Sequence, residues 1–228
     1  VAAESGAVER ELGTSGTSGA SGGSGVSGAS GAASDGLDAR LVDAVERLGD
    51  AGRAMLRDAA KREGLSVTQA QLLLRVTTPS AGPQSTGSFA RWLEVSAPTV
   101  SDAAAALVRK GLLEAVPDVT DTRRSSWVPT GPGREAAERL HGWRDPLAAG
   151  LSACSPQERA VALRVLLEAV ASLNRTGRIT VARTCLTCRF LRQEAPDGRA
   201  GEWCGLLEAP LAAADLRVDC PEHEPASR

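Results

Sequence analysis

A mainly helical chain with one small β-hairpin and a short cysteine-bearing tail is the fold class that three observations predict. Aromatic residues make up only 3% of the chain and tyrosine is absent, which disfavours a large β-sandwich and leaves helices to carry the core. From Leu37 onward apolar residues recur at helical spacings, punctuated by capping and breaking residues. In the middle of that pattern stand two short strand-like runs separated by a charged turn.

The composition bounds the rest. With 228 residues and 42% hydrophobic content the chain can form one or two domains with a substantial core. A net charge of −2 gives no global nucleic-acid signature, so any contact with DNA has to come from local placement of Arg and Lys. No basic segment leads into an apolar core at the start, and no apolar run is long enough to span a bilayer. The expected setting is cytoplasmic, with no membrane partner. In a reducing compartment the five cysteines read as thiols or metal ligands rather than disulfides.

The elements follow in order. Residues 1–36 form a leader in which positions 13–34 are almost entirely Gly, Ser, Thr and Ala, too poor in apolar surface to offset the entropy of ordering, so it is expected to be disordered. Leu37, Leu41, Val45, Leu48, Met55, Leu56 and Ala59 then place one apolar stripe on a long helix that Gly64 stops. Ser66-Val67-Thr68-Gln69 is a capping box, and Leu72, Leu73, Leu74 and Val76 carry a second helix to about Thr77, before a loop from Pro79 to Pro83. Ser85 to Glu94 is a short amphipathic helix with Phe89, Ala90 and Leu93 inward. Ser96 caps the next helix, whose Val100, Ala104, Leu107 and Val108 lead to a stop at Gly111. Helix, tight turn and helix make a helix-turn-helix.

Leu112 to Val116 reads as a strand, Pro117 to Arg124 as a charged turn and Ser125 to Pro129 as the returning strand, a hairpin of the kind called a wing. Gly131 to Gly133 is expected to break the chain before a helix from Arg134, itself interrupted near Pro146. Ser155-Pro156-Gln157-Glu158 opens a last helix whose Val161, Leu163, Val165, Leu166, Leu167, Val170 and Leu173 are too apolar for a lone surface helix, so a partner is expected to cover it. Cys154 reads as a small buried apolar residue.

This order of elements, with the wing segment Asp121-Thr122-Arg123-Arg124 and the Thr130-Gly131-Pro132-Gly133 entry into the following helix, resembles the MarR family of winged helix-turn-helix transcription regulators over roughly residues 38–173. Asp121, Arg123, Thr130 and Gly133 match that family's pattern, and Pro129 departs from it where Leu is usual. The resemblance implies a homodimer on near-palindromic double-stranded DNA. It places the major-groove helix contacts on Thr99, Ser101 and Asp102, the minor-groove contact on Arg123, and dimerisation on 38–62 with 155–173. An Arg at a hairpin tip is long enough to enter a narrow minor groove, where the potential is most negative. The implied domains are a winged helix DNA-binding and dimerisation domain at 37–174 and a tail at 175–228.

Between Ser96 and Leu107 there is no Arg, Lys, Asn or Gln, so the usual bidentate pairings to guanine or adenine are missing. Over residues 66–133 bases barely outnumber acids. Weak direct readout is therefore expected, with affinity drawn from phosphate contacts by Arg109, Lys110 and Arg124 and from the wing.

The tail carries Cys185, Cys188, Cys204 and Cys220 in a C-x2-C-x15-C-x15-C spacing, the ligand count of a metal site. The order Cys185-x2-Cys188-Arg189-Phe190, Cys204-Gly205-Leu206 and a later Cys220-Pro221 resembles the cluster-binding segment of high-potential iron–sulfur proteins, which implies a [4Fe–4S] cluster. Phe190, Trp203, Leu206, Leu207, Leu211 and Leu216 would supply its apolar shell. Zn²⁺ accounts for the same four thiolates almost as well, and the choice stays open with a lean to iron–sulfur. Metal-free redox thiols are the third reading, with Arg183 and Arg189 favouring thiolate. His223, between Glu222 and Glu224, is expected to be solvated. The tail is too small to fold by core burial, so metal binding would supply its folding energy whether it senses anything or is only a clip.

The chain therefore reads as a DNA-binding regulator and not an enzyme, with a tail that reports redox state, oxygen or metal supply. The competing readings are an oxidoreductase or electron-transfer protein working through the four cysteines, and an adaptor that does not bind DNA. Neither a nucleotide fingerprint nor a Ser-His-Asp constellation is present, and there are only two His. His141 and Trp143 stand where the resembled family often has a small-ligand cleft, but Trp at that spacing reads as core, and no small-molecule effector is assigned.

Overall fold

The computed structural model describes residues 28–78, 85–117 and 125–226, with 28–35 by their backbone course. It divides into two compact units, one ending at Arg47 and one running Leu48–Arg228. The expected winged helix-turn-helix, mainly α with a small β wing, is the observed fold of the second unit.

Helix α1 spans Gly28–Arg62 and starts ahead of Leu37, inside the expected leader, because each residue added to a formed helix gains a hydrogen bond without a new nucleus. In the first unit Leu37, Leu41, Val42 and Val45 are all exposed. In the second unit Leu48 is also exposed, whereas Leu56, Ala59 and Ala60 are buried.

Helix α2 (Val67–Thr77) is capped as its sequence requires: Ser66 accepts from the Gln69 N–H at 3.2 Å and its own N–H donates back to Gln69 Oε1 at 3.2 Å. Helix α3 (Thr86–Leu93) is capped by Ser85 and ends at Glu94, which takes a left-handed conformation at φ 55°. Helix α4 (Ala97–Arg109) is capped by Ser96 with Pro98 in its first turn. The core is built where these helices meet: Leu72, Leu73, Phe89, Val100, Leu107, Leu113 and Leu140 are each at most 2% exposed. Each is expected to contribute roughly 1.5–3 kcal/mol relative to an exposed position.

Strands β1 (Leu113–Pro117) and β2 (Ser125–Pro129) pair antiparallel from Leu113 opposite Pro129 to Pro117 opposite Ser125. Residues 118–124 lie outside the described ones, and with them the assignments of Asp121, Arg123 and Arg124. Leu112 does not join the strand. Its N–H donates to the Leu107 carbonyl to close α4, and its own carbonyl accepts from Thr130 N–H at 3.2 Å.

The expected break at Gly131–Gly133 is instead the first turn of α5 (Gly131–His141), capped by Thr130, whose hydroxyl accepts from Gly133 N–H at 3.0 Å. Gly133 is needed for closeness: a Cβ there would lie 1.9 Å from the Leu112 carbonyl oxygen. A 3₁₀ turn at Gly142–Arg144 leads into α6 (Asp145–Ser152), with Pro146 in its first turn as the expected interruption. Trp143 packs against the main core, and its ring lies 3.6 Å from where a Cβ on Gly52 would sit.

Helix α7 (Pro156–Arg175) opens on the predicted Ser155/Glu158 capping box. Cys154, just before it, is exposed rather than buried, because it sits in the turn between two surface helices. Leu167 and Ala171 are buried, while Val161, Val165, Leu166 and Leu173 on other faces of α7 are left bare. The tail that follows forms a three-stranded antiparallel sheet, β3 (Leu191–Glu194), β4 (Ala200–Cys204) and β5 (Ala209–Pro210). It packs on α7 through a second small core of Leu167, Cys185 and Leu216, flanked by Leu163, Leu186 and Leu211.

Candidate functional site

Two places carry chemistry. The first is the outer face of α4. Val100, Ala103, Ala104 and Leu107 turn inward, which leaves Thr99, Ser101 and Asp102 exposed at its N-terminal end. The Thr99 hydroxyl lies 2.7 Å from that of Ser96, so its orientation is set before any ligand arrives. Arg109 and Lys110 are exposed at the far end, and the Lys110 ammonium donates to the Gly64 carbonyl. Of the residues assigned to DNA contact, these five are described.

The second is a small cleft of about 30 Å³ lined by all four tail cysteines together with Phe190, Leu191, Leu206, Leu207 and Leu211, with Asp215, Arg217 and Glu222 at its edge. Local backbone geometry presents each sulfur. Cys185 opens a 3₁₀ turn in which the Cys188 N–H donates back to its carbonyl at 3.0 Å. Cys204 ends β4, paired across to Leu191 on β3 and Ala209 on β5. Cys220 is clamped from both sides by Arg183, accepting at its carbonyl from Arg183 Nη2 at 2.6 Å and donating its N–H to the Arg183 carbonyl at 2.8 Å.

Burial pushes the Cys185 thiol above the usual cysteine range, the other three cysteines add to the shift, and the Arg217 backbone N–H, 3.2 Å from its sulfur, opposes it. Arg217 also reaches the Cys220 sulfur at 3.7 Å with its guanidinium. The sequence singled out Arg183 and Arg189 for this task, and neither performs it: Arg183 pairs with Asp219 and Arg189 with Glu224. Arg217 meets Cys185, 32 positions away in the chain, only through the fold of the tail, and the sequence did not single it out.

The donor set suits a soft, sulfur-loving group: four thiols around a largely apolar cleft, two of them already receiving N–H donors. Among the described residues no group of three or more His, Cys, Asp or Glu side chains is drawn together so that it could hold a metal ion. Of the expected apolar shell, Phe190, Leu206, Leu207 and Leu211 line the cleft, Leu216 is buried behind Cys185, and Trp203 is not among the lining residues. His223, expected in solvent, is half-buried with Nε2 3.0 Å from the Thr187 hydroxyl, and burial lowers its pKa.

A third feature joins the two places. Asp219, beside Cys220, forms an ion pair with Arg75 of α2. Arg75 is only 5% exposed, and its guanidinium carbon lies 4.8 Å from the centre of the Trp92 ring on α3. Nothing local in the sequence marks Arg75 as buried.

No protein-family profile matches the chain and no curated protein does. Solved structures do resemble it. One is a mutant of MepR from Staphylococcus aureus bound to an oligodeoxyribonucleotide, at 20% identity over 58% of this chain and 97% of that one, with a TM-score of 0.42. YusO from Bacillus subtilis matches at 19% identity over 60% and 96% with a TM-score of 0.46, and the transcriptional regulator Tm0710 of Thermotoga maritima at 21% over 61% and 97% with 0.44. At these identities and scores the likeness says nothing of what this chain binds. No described helix is long and apolar enough to cross a membrane.

Proposed function

We propose that the protein is a dimeric, DNA-binding transcription regulator of the MarR kind, whose tail holds an inorganic centre on Cys185, Cys188, Cys204 and Cys220 and responds to its state. The observation that carries the reading is the two-sidedness of α4: one face is the centre of the core, and the other leaves Thr99, Ser101 and Asp102 bare. A helix so placed after a short capped helix is the arrangement that enters a major groove.

Dimerisation is supported by apolar side chains left in water, Val161, Val165, Leu166 and Leu173 on α7 and Leu37, Leu41, Val42 and Val45 on α1. The sulfur centre is read as [4Fe–4S] in preference to Zn²⁺. What supports that reading is the C-x2-C-x15-C-x15-C order, which resembles high-potential iron–sulfur proteins, with Phe190, Leu206, Leu207 and Leu211 lining the same cleft as the sulfurs. Such a centre would supply electron exchange or lability to oxidants, and this chain's residues supply the thiolates, the N–H donors of Arg217 and the water-excluding leucines.

The test has two arms. Anaerobically purified protein should show a broad visible absorption with about four irons per chain; a colourless protein with one zinc would replace the cluster by a zinc clip. A fluorescent duplex titrated at low salt should be bound by a dimer with an affinity that falls steeply with salt, and a monomer indifferent to duplex DNA would end the regulator reading.

A further inference from the structure

We infer that the sulfur-lined cleft governs the helix-turn-helix through Asp219, whose carboxylate holds the buried Arg75 of α2 against Trp92 of α3, so that filling the cleft fixes α3 and emptying it frees α3. The inference rests on the proposed reading of the four cysteines as ligands of an inorganic centre.

Asp219 is the covalent neighbour of Cys220, and Arg183 clamps Cys220 at both its N–H and its carbonyl. Arg183 Nε also lies 3.4 Å from Asp219 Oδ1. Residues 219 and 220 therefore move as one piece. The segment from Leu216 to Cys220 has no helix or strand to hold it. Behind it the buried side chains are few, Leu167, Cys185 and Leu216, so a sulfur held from inside the cleft would add a restraint that this small core does not supply.

On the other side, Arg75 draws its counter-charge from this carboxylate. Its side chain is almost wholly buried, and among the described residues its Nε has no hydrogen-bond partner. A buried guanidinium that loses its counter-charge relieves the loss most readily by swinging to water. That movement would uncover Trp92, which is already 39% exposed. Helix α3 has only eight residues and one fully buried side chain, Phe89, so it is too short to stand alone and its placement is set by contacts of this kind. Helix α4 packs directly on α3, so the pose of the DNA-facing residues follows.

Hydrogen exchange of the α3 amides in the full chain tests the link, with the centre loaded and after removal by chelation. In the wild type, removal should raise α3 exchange by about tenfold. In Asp219→Asn with its centre content unchanged, α3 should already exchange at the faster rate when loaded, and removal should add little. Arg75→Met, outside the tail, should behave alike and serves if Asp219→Asn fails to hold its centre. Wild-type α3 protection that ignores the centre, a response confined to α7, or loaded variants as protected as wild type would each overturn the link. Duplex binding is measured separately: a protein whose α3 responds but which binds no DNA refutes the regulator reading and leaves the coupling standing. Binding without an α3 response does the reverse.

Discussion

The helix-turn-helix region and the cysteine tail sit side by side in one compact unit, yet they are held by different forces. Between α2 and α5 the core contains Leu72, Leu73, Phe89, Val100, Leu107, Leu113 and Leu140, all essentially out of water. Among its described residues the tail buries only Ala182, Thr184, Cys185 and Leu216, and its shape comes from backbone bridges such as Cys188 with Pro225 and Arg189 N–H to the Glu224 carbonyl at 2.9 Å. Burial of apolar area is enough for the first. The second buries too few side chains to rest on burial alone, and a bound centre would be expected to supply its stability. One part should keep its fold when the sulfurs are emptied, and the other should not.

The largest effect expected is accordingly on the tail. Stripping the centre, or Cys185→Ser, should abolish amide protection in residues 185–226 while the α2 and α4 amides stay protected, a loss that for structural metal sites reaches ~10 kcal/mol of binding-linked stability. The exposed Cys154 is the control, and Cys154→Ser should change stability by less than ~0.5 kcal/mol. Equal loss of protection in both regions would show that the two share one cooperative core. The complementary cut is Leu107→Ala, which empties the centre of the other region and should cost roughly 2–5 kcal/mol in denaturant unfolding. If the comparison holds, Leu107→Ala lowers the midpoint for α2–α5 far more than it lowers the affinity of the tail for its centre.

How much of this was legible in the sequence depended on the range of the interaction. Capping at Ser66, Ser96 and Ser155 was readable because partner and cap lie three residues apart. The inward face of α4 was readable because it repeats at helical spacing. What failed was set by distant approach. Gly133 looked like a chain break and is a helix residue that the Leu112 carbonyl forces to be glycine. Arg75 looked like any surface Arg on an amphipathic helix, and its partner Asp219 lies 144 positions away. The four cysteines were found by spacing alone, but the donors around them were not: Arg217 belongs to a loop that meets Cys185 only after the tail has folded.

Gly133→Ala sharpens the first half of the comparison, because it disturbs the junction of hairpin and α5 without touching the tail. The added methyl must push Leu112 or tilt α5, which should destabilise this region by roughly 1–3 kcal/mol. DNA affinity should fall with it, and the spectrum of the centre should not change. Arg123→Ala, in the segment between β1 and β2 that lies outside the described residues, should weaken duplex binding by about tenfold for unrelated sequences alike and lower the salt dependence. Unchanged affinity would remove the wing from the interface.

The smallest effect expected lies at the edge of the well-packed region, where Arg139 of α5 grips Glu63 beyond the end of α1 with two hydrogen bonds of 2.9 Å. Those bonds hold the Glu63 carboxyl below the ordinary glutamate range, burial opposing them in part. A carboxyl whose folded value is lowered adds stability above the unfolded value, and that addition is lost as the pH falls through the folded one. Glu63→Gln should therefore lower the unfolding midpoint at neutral pH by no more than ~1–2 °C, and the gap should close in acid. The pair is partly open to solvent, so added salt should narrow the gap as well. A gap that persists below the lowered value would mean that Glu63 acts through its packing and not its charge. In that case the junction of α1 and α5 belongs with the apolar core, and the contrast with the tail is wider than the ion pair suggests.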